Sequence, residues 1–234
     1  EAGLRLGELL AAASPVNRVV LGLPRGGVPV AAAVARALGA PLEVIVVRKL
    51  GVLYQPEFAM GAVGEDGVVI VNNDVLRIAH VSEDELLRVE RDERAVLTAR
   101  LARIRAVRKR EPLEGCTAVL VDDGIATGAT MRAAIQVARA HGAARVVVAA
   151  PVGPRDVVAS MAADADDVVV LDQPEAFLAV GNWYRNFDAV TDDEVVELLA
   201  EATSRTSLGA RPGAGNGDLA NDPPPTSPAN GWRL

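Results

Sequence analysis

The sequence predicts an α/β protein built on a doubly wound, mainly parallel sheet, with a β-hairpin and a long helix inserted into it. Short β-branched apolar runs alternate along the chain with helix-like stretches, an order typical of strands joined by crossover helices. The runs are apolar almost throughout, as expected of strands in a sheet that is covered on both faces. Of 234 residues, 50% are hydrophobic and 24% are charged, which is ordinary for a packed globular domain.

The elements of this sheet follow one another in a regular order. Apolar runs predict five strands, at residues 18–23, 43–47, 117–122, 145–150 and 167–171. Helix-like stretches between them predict helices at 28–38, 130–141 and 154–163. Gly39 and Gly142 follow two of these helices and fit C-cap positions. The pattern therefore predicts alternating strands and helices.

One region, from about residue 51 to 114, interrupts this alternation and is predicted to be an insertion. Residues 58–63 and 67–72 flank the turn sequence Gly-Glu-Asp-Gly, which indicates a β-hairpin. Ser82-Glu83-Asp84-Glu85 has the pattern of a capping box and predicts a long helix from there to about Arg110. A similar box at Thr191 predicts a closing helix to about Ala202.

Residues 1–203 are expected to form one domain, and the chain after them differs in composition. From about Ser204 it is rich in Gly, Pro, Asn and Ser and poor in large apolar residues, so it buries too little surface to offset its ordering entropy. We expect residues 204–234 to be a disordered tail or a linker, and a second domain beyond it stays open. Because the sequence begins with Glu, we expect a fragment of a longer chain.

Composition excludes several classes of protein. The net charge of −7 disfavours wholesale non-specific nucleic-acid binding, which needs surplus Lys and Arg. A single cysteine, Cys116, excludes an internal disulfide framework and fits a reducing, cytoplasmic compartment. With only two histidines, most structural zinc sites are excluded as well. No apolar run approaches the roughly 20 residues of a membrane-spanning helix.

The stretch VLVDDGIATGAT, residues 119–130, carries the most chemical information. An apolar strand ends in Asp122 and Asp123, and a short loop of small and hydroxyl-bearing residues then leads into a helix. A helix N-terminus binds phosphate through its free N–H groups and its dipole, and the hydroxyls of Thr127 and Thr130 add donors. Paired carboxylates accept hydrogen bonds from a ribose diol, directly or through Mg²⁺. The stretch therefore suits a phosphorylated sugar.

Two further loops follow predicted parallel strands. Leu-Pro-Arg-Gly-Gly-Val-Pro at residues 23–29 has two glycines after Arg25, a composition that suits an anion-binding turn. Arg48 and Lys49 come directly after the second predicted strand. Because the carboxyl ends of parallel strands share one edge, we expect the three segments to face a single crevice. Taken alone, the first could be an ordinary glycine-rich turn and the second a pair of strand-end charges.

The stretch at 119–130 resembles the phosphoribosyl-pyrophosphate (PRPP) binding motif of type I phosphoribosyltransferases. The resemblance implies that Asp122 and Asp123 hold the ribose hydroxyls together with Mg²⁺, and that pyrophosphate is bound by Arg25, Gly26, Gly27, Arg48 and Lys49. It also implies a cis peptide bond between Pro24 and Arg25. The implied 5′-phosphate loop consists of Ala126, Thr127, Gly128, Ala129 and Thr130.

The resemblance implies transfer of a ribosyl-5-phosphate from PRPP to a nucleobase-like acceptor, with release of pyrophosphate. Hypoxanthine-guanine enzymes generally carry Asp where this chain has Ala126, which argues against a standard 6-oxopurine acceptor. Adenine-type motifs do carry Ala-Thr-Gly at this position. Orotate-type enzymes need a lysine-bearing loop, and the sequence has only Lys49 and Lys109, so it gives little support to an orotate acceptor. The segment RKLG with residues 54–63 is similar to a subgroup whose acceptor is unsettled, so the acceptor stays open.

The resemblance also assigns a lid and a hood. The lid candidate is residues 51–73, with Tyr54, Gln55 and Glu57 as its active-site residues, although a structural hairpin or a dimer contact fits equally well. In relatives, a hood near the termini recognises the base. Here residues 172–190 concentrate aromatics, and Trp183 or Tyr184 could stack on the acceptor or fill the hood's own core.

A second function stays open beside the enzyme. The chain could be a regulator that senses PRPP or a nucleotide, with the same fold and without turnover, because fold alone does not fix function. Arg100–Arg110 is an arginine-rich run with few acidic neighbours in sequence, which permits a nucleic-acid contact as a minority interpretation. PRPP and a small acceptor are the expected partners, and a homodimer is possible.

Overall fold

Five parallel strands form the central sheet of the computed structural model, which describes residues 1–13 and 17–209. The strands are β1 (Arg18–Gly22), β2 (Leu42–Val44), β6 (Thr117–Val121), β7 (Arg145–Val152) and β8 (Asp167–Asp172). Their order across the sheet is β2-β1-β6-β7-β8, which confirms the predicted fold class.

Helices cover both faces of the sheet. One face packs against α1 (Ala2–Ala13), α2 (Gly27–Leu38) and α7 (Asp192–Gly209), and the other packs against α5 (Ala129–Ala140) and α6 (Arg155–Met161). Strand residues alternate accordingly, because Val20 joins the first core while Val19 and Leu21 join the second. No described helix combines the length and apolarity that a membrane crossing needs.

Two chain ends differ from expectation. Helix α1 was not predicted; it packs closely on α2, and a Cβ at Gly7 would overlap Ala37. Helix α7 begins with the predicted capping box, in which the Thr191 N–H donates to Glu194 Oε2 (2.6 Å) and the Glu194 N–H donates to Thr191 Oγ1 (3.2 Å). This helix continues to Gly209, and the rest of the predicted tail, 210–234, lies outside the described residues.

The inserted region builds its own antiparallel sheet. Its elements are β3 (Val47–Val52), β4 (Gln55–Gly64), β5 (Val69–Val71), α3 (Asn73–Ile78) and α4 (Glu83–Arg105). Strand β4 pairs with both β3 and β5, and the predicted hairpin turn lies between β4 and β5 with Asp66 at φ 56°. The Ser82 side chain accepts a hydrogen bond from the Glu85 N–H at 3.3 Å, as the capping box predicts.

The second predicted strand is divided between the two sheets. β2 ends at Val44, the Ile45 N–H still donates to the Gly22 carbonyl at 3.1 Å, and Val47 then pairs antiparallel with Gly64. The insertion therefore begins at Val47 rather than near residue 51. Arg48 and Lys49 consequently lie inside β3, so the expectation that they stand at the carboxyl end of a parallel strand was wrong.

The arginines of the run Arg100–Arg110 form ion pairs with acidic residues, so their positive charge is largely neutralised within the protein. Helix α4 ends at Arg105 rather than near Arg110, and Pro112 follows, a residue type that disfavours helix just before it. Apart from Glu111, which is three residues from Arg108, the partners are distant in sequence, which is why the run looked unbalanced in sequence. The ion pairs join Arg100 and Arg103 to Asp192, Arg103 to Asp193, Arg105 to Glu43 and Glu65, Arg108 to Glu43 and Glu111, and Arg110 to Asp66.

Candidate active site

The topology places the predicted loops at one point of the sheet. From β1 the chain crosses to β2 on one side, whereas β6 and then β7 lie on the other side of β1. The carboxyl ends of β1 and β6 therefore flank a topological switch point, where open α/β sheets bind their ligands. Residues 24–27 follow β1, and Asp122 and Asp123 follow β6.

Asp122 and Asp123 stand partly buried at the end of β6. The Asp123 N–H donates to Asp122 Oδ1 at 2.9 Å, which orients the first carboxylate. Burial, together with the neighbouring charge of Asp123, raises the pKa of Asp122 well above its ordinary value. Burial also raises the pKa of Asp123. Holding both carboxylates charged in this poorly hydrated place is therefore unfavourable, and a bound cation or hydroxyl donors would offset that cost.

The loop after β1 lies directly against these acids. Its Pro24–Arg25 peptide bond is cis, which confirms the prediction. A Cβ added at Gly26 would overlap the Asp123 carboxylate, and one at Gly27 would lie 2.6 Å from the Val121 carbonyl oxygen. Only glycine permits this approach, so the first and second predicted segments form one continuous surface.

The loop between β6 and α5 is fixed at its base and open at its tip. The N–H of buried Ile125 donates to the Val152 carbonyl at 2.8 Å, and Gly128 adopts φ 77° beside Met161. Ala126, Thr127 and Thr130 are exposed, Gly128 is buried and Ala129 lies between these extremes. Helix α5 begins at Ala129, so its first free N–H groups lie at this loop, the usual setting for phosphate.

The predicted cations differ in availability. Arg25 is exposed and makes no ion pair with any residue in the described part of the chain. In contrast, the Arg48 Nε donates to Glu93 Oε2 of α4 at 2.6 Å. Lys49 is partly buried within β3. Arg25 is therefore the cation that the geometry leaves ready for an anionic ligand.

The lid candidates lie on the hairpin formed by β3 and β4. The Tyr54 hydroxyl donates to the Ala79 carbonyl at 2.8 Å, which ties the tip of this hairpin to the end of α3. Gln55 is exposed at the start of β4, and the backbone of Glu57 lies in the same strand. The tie from Tyr54 favours a fixed wall beside the site.

A cleft of about 650 Å³ separates the insertion from α5. Thr127 and Ala129 of the phosphate loop form part of its lining, and Phe58 and Asn72 face them from the insertion. The insertion was predicted as a lid over the ligand, and this cleft lies between it and the predicted 5′-phosphate loop.

The hood contacts the acid pair through a residue predicted for another role. The Tyr184 hydroxyl donates to the Asp123 carbonyl oxygen at 2.6 Å, and its ring lies 5.2 Å from that of Phe187. Burial and the charges of Asp123 and Asp122 raise the pKa of Tyr184, so the hydroxyl keeps its proton. Trp183 is 46% exposed and Leu178 is 89% exposed. The sequence carried no signal for the Tyr184 contact, which spans 61 positions.

The two carboxylates suit a metal that arrives with its ligand. Within the described residues there is no cluster of three or more His, Cys, Asp or Glu side chains able to hold a metal ion. Mg²⁺ usually takes one or two carboxylates and completes its octahedron with substrate oxygens and water. Asp122 and Asp123 therefore fit Mg²⁺ as part of a ligand complex.

Twin acids and a helix start that meet at a topological switch point are the arrangement expected of a sugar-phosphate site in an α/β protein. In agreement, residues 7–184 match the family model described as "Phosphoribosyl transferase domain". The chain therefore belongs to the phosphoribosyl transferase family, which confirms the resemblance stated from sequence.

Relatives and solved structures agree with this assignment. The chain is 54% identical over 224 residues to "Putative phosphoribosyl transferase Rv0571c" and to "Putative phosphoribosyl transferase MT0597", both of Mycobacterium tuberculosis. These alignments cover 96% of this chain and 49% of each relative, so the chain spans about half their length. The crystal structure of TT1426 from Thermus thermophilus is similar at a TM-score of 0.80 and 46% identity, covering 86% of this chain and 95% of that one.

Proposed function

We propose that this chain transfers the 5-phosphoribosyl group of PRPP to a nucleobase-like acceptor and releases pyrophosphate, in the cytoplasm and with Mg²⁺. One observation carries the proposal: the Gly26–Gly27 turn, the acids at 122–123 and the loop that leads into α5 adjoin one another at the carboxyl ends of β1 and β6, and together they are called the crevice. PRPP needs these three kinds of contact, for its pyrophosphate, its ribose diol and its 5′-phosphate.

Each part of PRPP has a matching group in this crevice. Asp122 and Asp123 accept the ribose hydroxyls, and Mg²⁺ held with them would neutralise charge on the leaving pyrophosphate. The free N–H groups at the start of α5 and the hydroxyls of Thr127 and Thr130 bind the 5′-phosphate. The exposed Arg25 binds the pyrophosphate. Both ends of PRPP are then fixed while its C1 carbon stays accessible.

The reaction exchanges one bond at C1 for another. The C1–oxygen bond to pyrophosphate breaks with its electron pair leaving on pyrophosphate, and a nitrogen lone pair of the acceptor forms the new C1–N bond. The proton that the neutral base loses passes to water or to the released pyrophosphate. The transition state resembles an oxocarbenium ion, as in glycoside chemistry. The chain's contribution is to hold sugar, leaving group and acceptor in line, which removes much of the entropic barrier.

The acceptor side of the crevice is apolar and aromatic. Ala126 is exposed in the phosphate loop and brings no carboxylate toward a ring, which disfavours a standard 6-oxopurine. The exposed indole of Trp183 in the hood offers a flat apolar face of the kind that stacks on a planar ring, and the exposed Leu178 adds aliphatic surface. We therefore place a neutral nucleobase between the hood and the loop at Ala126.

A nucleobase screen tests the proposal. The chain is incubated with PRPP, Mg²⁺ and each base in turn, and pyrophosphate release is measured. We expect release with at least one base and none from the Asp122→Asn/Asp123→Asn variant. PRPP binding without release for every base would favour a sensor of PRPP, and no PRPP binding by the wild-type chain would contradict the proposal as a whole.

A further inference from the structure

Tyr184 connects the hood to the acid pair by a direct hydrogen bond. Its hydroxyl donates to the Asp123 backbone carbonyl at 2.6 Å, and the bond is partly buried. The ring is tilted at 41° against Phe187 with the centroids 5.2 Å apart. Both the polar and the aromatic parts of this side chain are thus engaged within the protein, so Tyr184 is poorly suited to stacking on an acceptor.

The hood touches the same loop at a second point, one residue further along. A Cβ added at Gly124 would lie 2.6 Å from Cγ1 of Val180, so the hood lies directly over the backbone that follows Asp123. In addition, Gly181 packs against the ring of Phe187, where a Cβ would lie 2.9 Å from Cδ1. Val180 and Tyr184 therefore hold the backbone of residues 123 and 124 from the hood side.

The opposite side of Asp123 is held by the loop after β1. Gly26 lies so close to the Asp123 carboxylate that any side chain there would overlap it. The Asp123 backbone is fixed by the hood, and its carboxylate is bounded by the loop at Gly26. A shift of the hood would therefore move this carboxylate against a neighbour that leaves it no room.

From this arrangement we infer that Tyr184 is a positioning residue, which holds Asp123 so that its carboxylate meets the ribose diol of the ligand. The inference rests on the proposed function, because it assigns the diol to Asp123. It replaces the expectation that Tyr184 stacks on the acceptor and leaves Trp183, which is 46% exposed, for that role. It also couples the hood, where the acceptor binds, to the sugar side of the crevice.

Tyr184→Phe separates the hydrogen bond from the packing. Phenylalanine keeps the ring contact with Phe187 and removes only the donor to Asp123. Thr98→Val is the matched control, because it likewise removes one hydroxyl donor to a backbone carbonyl, that of Arg94 at 2.8 Å within α4, and leaves the hood and the acid loop unchanged. Binding of ribose 5-phosphate and of 2-deoxyribose 5-phosphate is measured by calorimetry with Mg²⁺ for the wild-type chain and both variants.

We expect Tyr184→Phe to weaken ribose 5-phosphate binding by about threefold to tenfold, the range of one lost hydrogen bond. The affinity for 2-deoxyribose 5-phosphate should fall less, because this sugar lacks one of the hydroxyls that donate hydrogen bonds to the acids. The preference for ribose 5-phosphate over the deoxy sugar should therefore fall. Thr98→Val should keep this preference. An unchanged preference in Tyr184→Phe, or an equal loss for both sugars, would overturn the positioning role.

Amide hydrogen exchange gives a second readout that needs no ligand. Tyr184→Phe should speed exchange in the segment 122–128, whereas Thr98→Val should not. Wild-type exchange rates in Tyr184→Phe would overturn the inference. A wild-type chain that binds neither sugar phosphate nor PRPP would overturn the proposed function instead, and the exchange experiment would still show whether Tyr184 holds the acid loop.

Discussion

The crevice and the insertion are built in opposite ways. In the crevice, each functional group lies on a short loop that directly follows a strand, as Arg25 follows β1 and Asp122 follows β6. The insertion is held by charges far apart in sequence: Arg105 of α4 donates to Glu65 in the hairpin turn at 2.6 Å, 40 positions away, and to Glu43 of β2 at 3.1 Å, 62 positions away. The residues proposed to bind the ligand thus lie close together in sequence within short loops, whereas the ion pairs that attach the insertion join residues far apart in sequence.

This difference predicts that substitutions in the insertion lower stability without changing PRPP affinity, and that substitutions in the crevice lower PRPP affinity. The largest effect should come from Arg105→Ala, because it leaves Glu43, which is fully buried, without its closest guanidinium partner. Burial alone would lower the pKa of Arg105, but the hydrogen bond to Glu65 and the charges of Glu43 and Glu65 outweigh it and raise that pKa. Removing one partner of a buried pair costs about 3 kcal/mol of the free energy of unfolding.

Urea denaturation measures this loss. The control is Arg103→Ala, whose partners Asp192 and Asp193 lie nearer the surface and whose loss should cost less than about 1 kcal/mol. PRPP affinity of folded Arg105→Ala should stay within about twofold of wild type. Equal destabilisation by Arg105→Ala and Arg103→Ala would show that the buried ion pair between Arg105 and Glu43 is no more important than the exposed pairs of Arg103.

Gly26→Ala tests the opposite expectation, that a change in the crevice lowers PRPP affinity rather than stability. The new Cβ would overlap the Asp123 carboxylate and push it from its place, so we expect PRPP affinity to fall at least about tenfold, equivalent to ~1.4 kcal/mol. Gly39→Ala is the control, because Gly39 has φ 58° at the end of α2 and its loss should lower stability by ~1 kcal/mol. Its PRPP affinity should be unchanged. Loss of affinity in both variants would mean that general instability, not the acid pair, causes it.

Asp166, an exposed residue directly before β8, provides a smaller, pH-dependent test. Its carboxylate accepts a hydrogen bond from the Val146 N–H at 2.7 Å and one from Arg139 at 3.0 Å, and these bonds, the first above all, lower the pKa of Asp166. Because the folded pKa lies below the unfolded value of about 3.9, the stabilisation is present above that pH and is lost as the pH falls through the folded pKa.

Asp166→Asn should therefore lower the free energy of unfolding by ~1 kcal/mol at pH 7. Denaturant titrations at several pH values should show the difference from wild type shrinking once the pH falls below about 4. A difference that is constant from pH 7 to pH 3 would show that the charge of Asp166 contributes nothing.

The smallest expected effect concerns the arginine-rich run. Because Arg100, Arg103, Arg105, Arg108 and Arg110 each have acidic partners, we expect no binding of a single-stranded oligonucleotide above that of an unrelated acidic protein. Fluorescence anisotropy at low and high salt measures this. Binding that weakens steeply as salt increases would restore the nucleic-acid interpretation.

The same contrast explains how much the sequence could predict. Strands, capping boxes and the loops at 24–27 and 122–130 depend on adjacent residues, and the structure agrees with their positions except for the second predicted strand, which is divided between the two sheets. The partners of Arg48 and Arg105 depend on which elements meet in three dimensions, and a single sequence does not contain that information. Tyr184 is the clearest example, because its hydrogen bond to a backbone carbonyl 61 residues away requires no particular residue type at Asp123.

The first helix, α1, was missed for a related reason. This helix precedes any strand, and its Leu4 and Leu9 are exposed while Leu6 and Leu10 are buried, so apolar residues lie on both sides and blur the helical period. Its close contact with α2 depends on small residues facing one another, a feature that becomes visible only when both helices are in place.

PRPP binding by the Asp122→Asn/Asp123→Asn variant tests the central claim most directly. Calorimetry with Mg²⁺ compares this variant with the wild-type chain, and circular dichroism confirms that both are folded. The account predicts that the wild-type chain binds PRPP and that the variant, with its fold intact, binds at least about a hundredfold more weakly, a loss of ~2.7 kcal/mol. Equal affinity of the two folded proteins would contradict it, because the twin acids would then not hold the sugar.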